Sequence, residues 1–272
     1  MKQIARYSAT GILVLASALL FVHGPIYQPA HYHEFADQSS LPGIAHATDV
    51  LSNVGFALIA IWGAVRLHRS WLPSTAPSML KPGSYGYGLF LLALLLTAFG
   101  STYYHLAPDD WRLVWDRLPI ALACAGLLAG SRAELVASTN ERALTFALAL
   151  LAVASVMWWH FGQINGGGDL RPYLMLQAAP LVLIPIWQAT HAATRSERRS
   201  LGLAILLYVL AKIAELHDHD ILAALGWLSG HTLKHLLASA AAWVLVAALI
   251  KKYAANPDAN HRRRPVVTII AS

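Results

Sequence analysis

Residues whose types and spacing could support chemistry lie at the ends of long apolar segments: Ser101, His105 and Asp116 around one turn, and His231 and His235 at the start of the last segment. Residues four apart in a helix lie on one face, one turn from each other, and both the Ser–His pair and the His–His pair have this spacing. Two imidazoles placed this way can approach one ion at about 2.0–2.1 Å, which is a common zinc-binding arrangement. The two pairs therefore predict a metal centre if the fold brings them together.

The segment from His231 to His235 reads His-Thr-Leu-Lys-His, so it lacks the glutamate that HExxH metalloenzymes use as a base. Asp116 is the candidate base in its place. With His105 as a third ligand and water in the fourth position, the set would have the open coordination of a catalytic zinc site. A single histidine in an apolar segment is more often a hydrogen-bonded packing residue. The combination of these residues at one predicted depth is what favours a metal.

The composition is that of a membrane protein. Of the 272 residues, 57% are hydrophobic and 12% are charged, whereas soluble domains carry about 25% charged residues. The net charge of +6 comes from clusters between the apolar segments, which favours a lipid bilayer, and not nucleic acid, as the partner. The single cysteine, Cys124, lies inside an apolar segment, which excludes an intrachain disulfide framework and a thiolate metal cluster.

The apolar runs predict an all-α integral membrane protein, with a seven-helix core bundle and an extra N-terminal transmembrane helix, eight helices in total. The predicted helices cover residues 1–24, 48–67, 85–105, 113–131, 142–161, 172–192, 201–216 and 228–250. The segment 201–216 is short for a span, so it is expected to continue toward His219 or to be shielded by neighbouring helices. The domains are then the N-terminal helix 1–24, a core domain 25–252 and a disordered basic tail 253–272.

The distribution of basic residues predicts the topology. Of the 20 lysines and arginines, 15 fall at the two termini and in alternate loops, as the positive-inside rule expects of the cytoplasmic side. Both termini are therefore expected in the cytoplasm, with the candidate site toward the non-cytoplasmic side. Residues 1–24 also have the form of a signal peptide, but no small-x-small cleavage motif follows them, which favours a retained helix.

As a set, these motifs resemble the alkaline ceramidase family of the CREST superfamily, which also includes the adiponectin and progestin receptors. The resemblance extends over residues 32–250. It rests on Ser101-x-x-x-His105, on Asp116 followed by Pro119-Ile120, on Gly230-His231-x-x-Lys234-His235, and on Asp49-x-x-Ser52-Asn53 in the first core helix.

The resemblance implies an intramembrane zinc amidase in which His105, His231 and His235 hold Zn²⁺. Asp116 would orient and deprotonate the attacking water, and Ser101 would hydrogen-bond that water or the oxyanion. The implied substrate is a ceramide-like membrane lipid, cleaved at its amide bond to a fatty acid and a sphingoid base. The short loops favour a bacterial inner membrane as the location.

The chain departs from the family before the first core helix. Residues 31–37 read His-Tyr-His-Glu-Phe-Ala-Asp where the eukaryotic ceramidases have an acidic calcium-binding cluster, and His46 stands where a carboxylate is expected. A calcium site is therefore not carried over to this chain.

The residues leave three other functions open. The same zinc site acting on an ester would make the protein a lipid esterase. A receptor-like protein would hold zinc as a structural ion and shift its helices on ligand binding. A proton or metal transporter would use residues 217–220, His-Asp-His-Asp, together with the histidines of the last helix. A transporter also needs a polar path on both sides of the site, and the cytoplasmic halves of the predicted helices offer few polar residues.

Some polar residues near the site have two interpretations. Ser52 and Asn53 either brace the histidines through hydrogen bonds or pack between helices. Lys212 and Glu215, three residues apart, are expected to pair within their helix. The run of residues 217–220 is either a second metal site or, more simply, a solvated loop.

Overall fold

The computed structural model describes residues 11, 15, 18–71, 80–136 and 140–255. In this part of the chain, a bundle of helices follows one short hairpin, which pairs strand β1 (Ser40–Leu41) with strand β2 (Ile44–Ala45) in antiparallel register. The helices are α1 (Ala47–Ser52), α2 (Val54–Trp71), α3 (Ser84–Leu106), α4 (Asp110–Leu135), α5 (Glu141–Ile164), α6 (Arg171–Thr190), α7 (Arg195–Leu216), α8 (Asp218–Leu225) and α9 (Gly230–Ala255).

Six helical segments are long and apolar enough to cross a membrane: α1 with α2 (Ala47–His68), α3, α4, α5, α6 and α9. Helices α7 and α8 form a seventh if they are counted as one span, although they bend by 84° at the break between them. This architecture is consistent with a multi-pass membrane protein, and it confirms the prediction that the chain is helical with several apolar spans.

Two parts of the prediction fall mainly outside the described residues. The N-terminal helix, 1–24, is described only at residues 11, 15 and 18–24, of which 18–23 are helical. The tail, 253–272, is described only as far as residue 255, and those first residues continue α9.

Helix α4 begins earlier than its apolar pattern predicts, because a capping residue precedes it. The side chain of Asp109 accepts a hydrogen bond from the backbone amide of Arg112 at 2.7 Å, which satisfies one of the free amides at the helix start. Since the helix starts at residue 110, Asp116 lies in its second turn and faces the bundle interior.

Helix α7 also begins early, at Arg195, where the apolar pattern predicts a start at residue 201. Thr194 and Glu197 form a reciprocal capping box at this end. The helix therefore gains length at its N-terminal end, and at His217 the chain turns into α8.

The crossing of α3 and α4 requires a glycine. A Cβ atom on Gly100 would lie 2.0 Å from the carbonyl oxygen of Trp115, far closer than any real contact. Small residues allow helix backbones in membranes to approach in this way. The crossing brings the backbones of Ser101 and Asp116, the next residues on each helix, close together.

Apolar side chains form two clusters on either side of this crossing. One lies among α4, α5 and α6 and includes the fully buried Trp159 and Leu113. The other lies among α2, α3 and α9 and includes the fully buried Leu67 and Val246. Helices α3 and α4 contribute to both clusters, so they form the rigid centre from which the candidate site residues project.

Candidate metal centre

Three histidines from two helices meet at one end of the bundle. His105 lies in the last turn of α3, and His231 and His235 lie in the first turns of α9. Their candidate ligand atoms all lie within 4.8 Å of one another. The three residues are buried, with exposures of 0%, 5% and 3% in chain order. This group, called the histidine triad below, could hold a metal ion. The spacing of the two pairs predicted a metal centre if the fold brought them together, and the fold does so.

The start of α9 is locked against the bend between α7 and α8. A Cβ on Gly230 would lie 2.2 Å from the carbonyl oxygen of Ala214, so this approach requires a glycine. Beside it, the buried carboxylate of Asp218 accepts hydrogen bonds from the backbone amides of His231 at 2.7 Å and Ala36 at 2.9 Å. Asp218 therefore orients the first triad residue of α9 and ties it to the loop before α1.

The run of residues 217–220 thus divides into a buried anchor, Asp218, and an exposed pair. His217 Nδ1 lies 3.0 Å from a carboxylate oxygen of Asp220, and both side chains are exposed. Among the described residues, the histidine triad is the one group of histidine, cysteine or carboxylate side chains spaced to hold a metal. The pair is solvated, as expected, but it lies at the start of helix α8 and not in a loop, and Asp218 is buried.

The tautomer of His235 follows from its neighbours. Its Nδ1 lies 2.8 Å from Oγ of Ser52 and 3.2 Å from the carbonyl oxygen of Asp49. Ser52 donates its own proton to that same carbonyl at 2.8 Å, so both oxygens can only accept from the ring. Nδ1 therefore carries the proton, and the lone pair lies on Nε2, where a metal can bind. Ser52 braces a triad histidine, whereas Asn53 donates to the Asp49 carbonyl at 2.9 Å.

Asp49 ties α1 to the start of α9, and Asp37 holds the first turn of α1. The fully buried carboxylate of Asp49 accepts hydrogen bonds from the hydroxyls of Thr232 at 2.5 Å and Ser229 at 3.2 Å. Asp37, in the loop before α1, accepts from the backbone amides of Thr48 and Asp49, each at 3.0 Å. Burial raises the pKa of Asp37, but the hydrogen bonds from neighbouring hydroxyl and amide groups outweigh this, and its pKa lies below the ordinary value.

A chain of charged side chains ends on His231. Nζ of Lys234 lies 2.9 Å from Nε2 of His231 and donates to it. Lys234 is also paired with Glu215 at 2.9 Å, and Glu215 is paired with Lys212 at 2.7 Å. The expected pair of Lys212 and Glu215 is therefore present, as part of a longer chain. A metal that binds His231 through Nε2 competes with the ammonium of Lys234 for the same lone pair.

His105 and Ser101 carry polar atoms without partners. Neither ring nitrogen of His105 has a hydrogen-bond partner among the described residues, and neither does Oγ of Ser101. The Phe35 ring packs against the triad, 4.6 Å from the ring centre of His105 and 4.5 Å from that of His231. Buried polar atoms are nearly always hydrogen-bonded. Orphaned nitrogen and hydroxyl groups around three imidazoles therefore fit a bound cation and its water.

Ser101 and Asp116 line the same internal cavity as His231 and His235. The cavity volume is about 780 Å³, within the roughly 300–1,000 Å³ of ligand pockets. Asp116 is 5% exposed, and its carboxylate forms no hydrogen bond or ion pair with any described residue. It is therefore free to act on a ligand in the cavity.

The cavity continues along the bundle to a polar group at the opposite end. There, Lys252 pairs with Glu134 at 2.9 Å and with Glu197 at 2.7 Å. Asp116 and Glu134 are separated by about 27 Å along α4 at 1.5 Å per residue. The walls between these ends are mostly apolar, with Phe90, Leu94, Leu127, Leu174, Ile184 and Leu245 among them, although Thr97, Gln177 and Tyr208 also line the cavity.

The sequence did not reveal the roles of several charged residues near the triad and the cavity. Asp37 and Asp218 position backbone amides, Lys234 contacts a triad histidine, and Arg117 is buried beside the cavity. For Lys234 and Arg117 the sequence did contain an indication, because ionisable residues inside spanning helices usually face the bundle interior or a cavity.

No protein-family model matches the chain, and a search of curated proteins found no match. The resemblance to the alkaline ceramidases therefore depends on the motifs alone, and the argument for function depends on the geometry of the site.

Proposed function

We propose that the protein is a zinc-dependent intramembrane hydrolase that cleaves the amide bond of ceramide-like lipids to a fatty acid and a sphingoid base. The observation that carries the proposal is the buried histidine triad, in which both nitrogens of His105 lack a partner among the described residues, together with Asp116, whose carboxylate lines the same cavity as His231 and His235. Three protein ligands with an open fourth position are typical of catalytic zinc. The likeness of the motifs to alkaline ceramidases supports the same reaction.

In this proposal, His105, His231 and His235 hold the ion, and bound zinc supplies a Lewis acid that polarises the scissile carbonyl and acidifies water to a pKa of about 7. Asp116 accepts the proton of the attacking water and returns it to the leaving amine. The hydroxyl of Ser101 donates a hydrogen bond to the carbonyl oxygen as negative charge develops there.

The shape of the cavity supports a lipid substrate. Its apolar walls suit an acyl chain, and its length along α4 is close to the ~30 Å hydrocarbon thickness of a bilayer. An ion or proton path would need a continuous row of polar groups between the two ends, so the mostly apolar walls favour a hydrolase over a transporter.

The membrane arrangement belongs to the same proposal. We place eight helices in a bacterial inner membrane, with both termini in the cytoplasm and the triad toward the non-cytoplasmic side. The support is the positive-inside pattern of the lysines and arginines.

The experiment that tests the function compares purified wild type with the His231→Ala/His235→Ala variant. Metal content is measured in both, and both are tested on a panel of fluorescent ceramides with matched ester analogues. We expect about one zinc per chain in the wild type, and we expect the variant to lose the zinc together with fatty-acid release.

A double variant at histidines outside the triad, His68→Ala/His191→Ala, is the matched control and should keep both zinc and turnover. Zinc with release only from esters would identify a lipid esterase. Zinc with no release from any amide or ester would favour the receptor-like function, in which the metal is structural. A well-folded wild type that binds no zinc would reject the mechanism.

A further inference from the structure

Arg117 is a buried cation without an acidic partner. It follows Asp116 on α4, is 3% exposed and lines the same cavity as His231 and His235. No carboxylate in the described part of the chain lies within ion-pair distance of its guanidinium. The carboxylate of the preceding residue, Asp116, forms no ion pair with it either.

Aromatic rings surround the guanidinium but leave its donors unsatisfied. Its central carbon lies 4.0 Å from the ring centre of Trp159, 5.0 Å from that of Tyr32 and 5.7 Å from that of Tyr173. These ring faces attract a cation. However, Nε and Nη1 of Arg117 are buried and have no hydrogen-bond partner. The aromatic rings hold the charge in place without supplying the acceptors that it needs.

The other carboxylates near this end of the cavity are already engaged. Glu215 is shared between Lys212 and Lys234, so this group carries one excess positive charge. Both carboxylate oxygens of Asp218 accept backbone amides. A charge buried without a partner is strongly unfavourable, and no carboxylate among the described residues forms an ion pair with Arg117. The missing acceptor is therefore a feature of what enters the cavity.

We propose that Arg117 binds an acidic group, a carboxylate or a phosphate, on the lipid that occupies the cavity. The substrate is then an acidic N-acyl lipid, a ceramide-like amide that carries an additional acid group. This inference rests on the proposed function for the bond that is cleaved, but the binding itself requires no metal. A planar guanidinium held between aromatic rings suits such a group better than a lysine, because it offers paired donors in fixed directions.

The test uses two lipids that differ only in the acid. N-palmitoylglycine and N-palmitoylethanolamine share the acyl chain and the amide, and only the first ends in a carboxylate. Binding of each to the full-length, detergent-purified protein is measured after EDTA treatment, so that zinc does not contribute. We expect the wild type to prefer N-palmitoylglycine by about tenfold or more, since a hydrogen-bonded charge pair is among the strong polar contacts.

Two variants at Arg117 assign the preference. Arg117→Gln should bind both lipids equally and should bind N-palmitoylethanolamine as the wild type does, which also shows that it is folded. Arg117→Lys retains the charge without the planar donors and should keep only part of the preference, so it decides the matter if the glutamine variant does not fold. Arg112→Gln, on the same helix but outside the cavity, is the control and should match the wild type.

The proposal is wrong if the wild type binds both lipids equally, or if Arg117→Gln keeps the full preference. It is also wrong if inorganic phosphate alone binds the wild type as tightly as N-palmitoylglycine does, because the site would then serve a free anion. A protein that holds no zinc but shows the Arg117-dependent preference would reject the hydrolase function and keep this site. A protein that hydrolyses ceramide but binds N-palmitoylglycine and N-palmitoylethanolamine equally would keep the hydrolase function and reject the acid-binding role of Arg117.

Discussion

Nδ1 of His235 lies 2.8 Å from Oγ of Ser52, and this hydrogen bond joins the first described helix of the core to the last. Ser52 can accept the ring proton because it donates its own to the carbonyl oxygen of Asp49. The contact fixes both the tautomer and the orientation of one triad histidine. The short helix α1 contributes no candidate ligand, yet through Ser52 it controls the orientation of His235 in the triad.

Replacing Ser52 with alanine should weaken zinc binding by about 10–100-fold, the usual effect of removing a partner that orients a metal-binding histidine. Competition with a chelator of known affinity measures the change. Ser155→Ala is the control, because this buried serine donates only within its own helix, α5. An unchanged competition midpoint in Ser52→Ala would show that packing alone orients His235.

Replacing Asp116 with asparagine should leave zinc binding intact and lower turnover by about 10²–10⁴-fold, the range attributed to a general base. The residue has no structural partner among the described residues, so the variant should fold. Metal content and fatty-acid release are measured on the same sample, beside Asp109→Asn at the exposed start of α4. Full turnover in Asp116→Asn would exclude this residue as the base.

Replacing Lys234 with methionine should tighten zinc binding by about tenfold or more, because the ammonium competes for Nε2 of His231 and repels a divalent cation. Lys212→Met is the matched control, since Lys212 pairs with the same glutamate but is not hydrogen-bonded to the triad. Its effect on chelator competition should be smaller. Weaker zinc binding in Lys234→Met would mean that the lysine supports the site.

Replacing Gly100 with alanine should lower the thermal stability, because the new methyl group would lie 2.0 Å from the carbonyl oxygen of Trp115. Overpacking typically costs about 1–3 kcal/mol. Gly202→Ala on α7 is the opposite case, because nothing lies within 4 Å of its added atom. That change should stabilise the protein by up to about 1 kcal/mol through helix propensity. If both variants shift Tm in the same direction from the wild type, the close crossing of α3 and α4 would be contradicted.

Asp169 should make stability depend on acidic pH. Its carboxylate pairs with Arg171 at 2.9 Å and accepts the backbone amide of Ile26 at 3.2 Å. Burial raises its pKa, but these contacts outweigh burial, and the pKa lies below the ordinary value of 3.8. A lowered pKa in the folded state adds stability at higher pH, and that stability is lost as the pH falls below the ordinary value and through the folded value.

The Tm of wild type minus that of Asp169→Asn should therefore be positive near neutral pH and should shrink below about pH 4. A difference that stays constant across this range would show that the carboxylate contributes no charge-dependent stability.

The sequence by itself determined that the chain is helical with several apolar spans, and it singled out the three histidines that could hold a metal. The apolar runs are long enough to predict spanning helices without tertiary information, because each one must satisfy its backbone within itself in a bilayer. The spacing of His231 and His235 determined that both lie on one face, since helical geometry is local. Helix starts were less accurate, because Asp109 and Thr194 extend helices through capping that the apolar pattern does not register.

Only the tertiary structure decided which polar residues support the triad. His105 meets the other two histidines because Gly100 and Gly230 permit helix approaches between segments far apart in the chain. Asp218, which by its local sequence belongs to a solvated loop, becomes a buried acceptor for the amide of His231. Arg117 is a cation without an anion only in the context of α5, α6 and the loop before α1. Such contacts depend on the relative placement of helices, and no local pattern in the sequence encodes that placement.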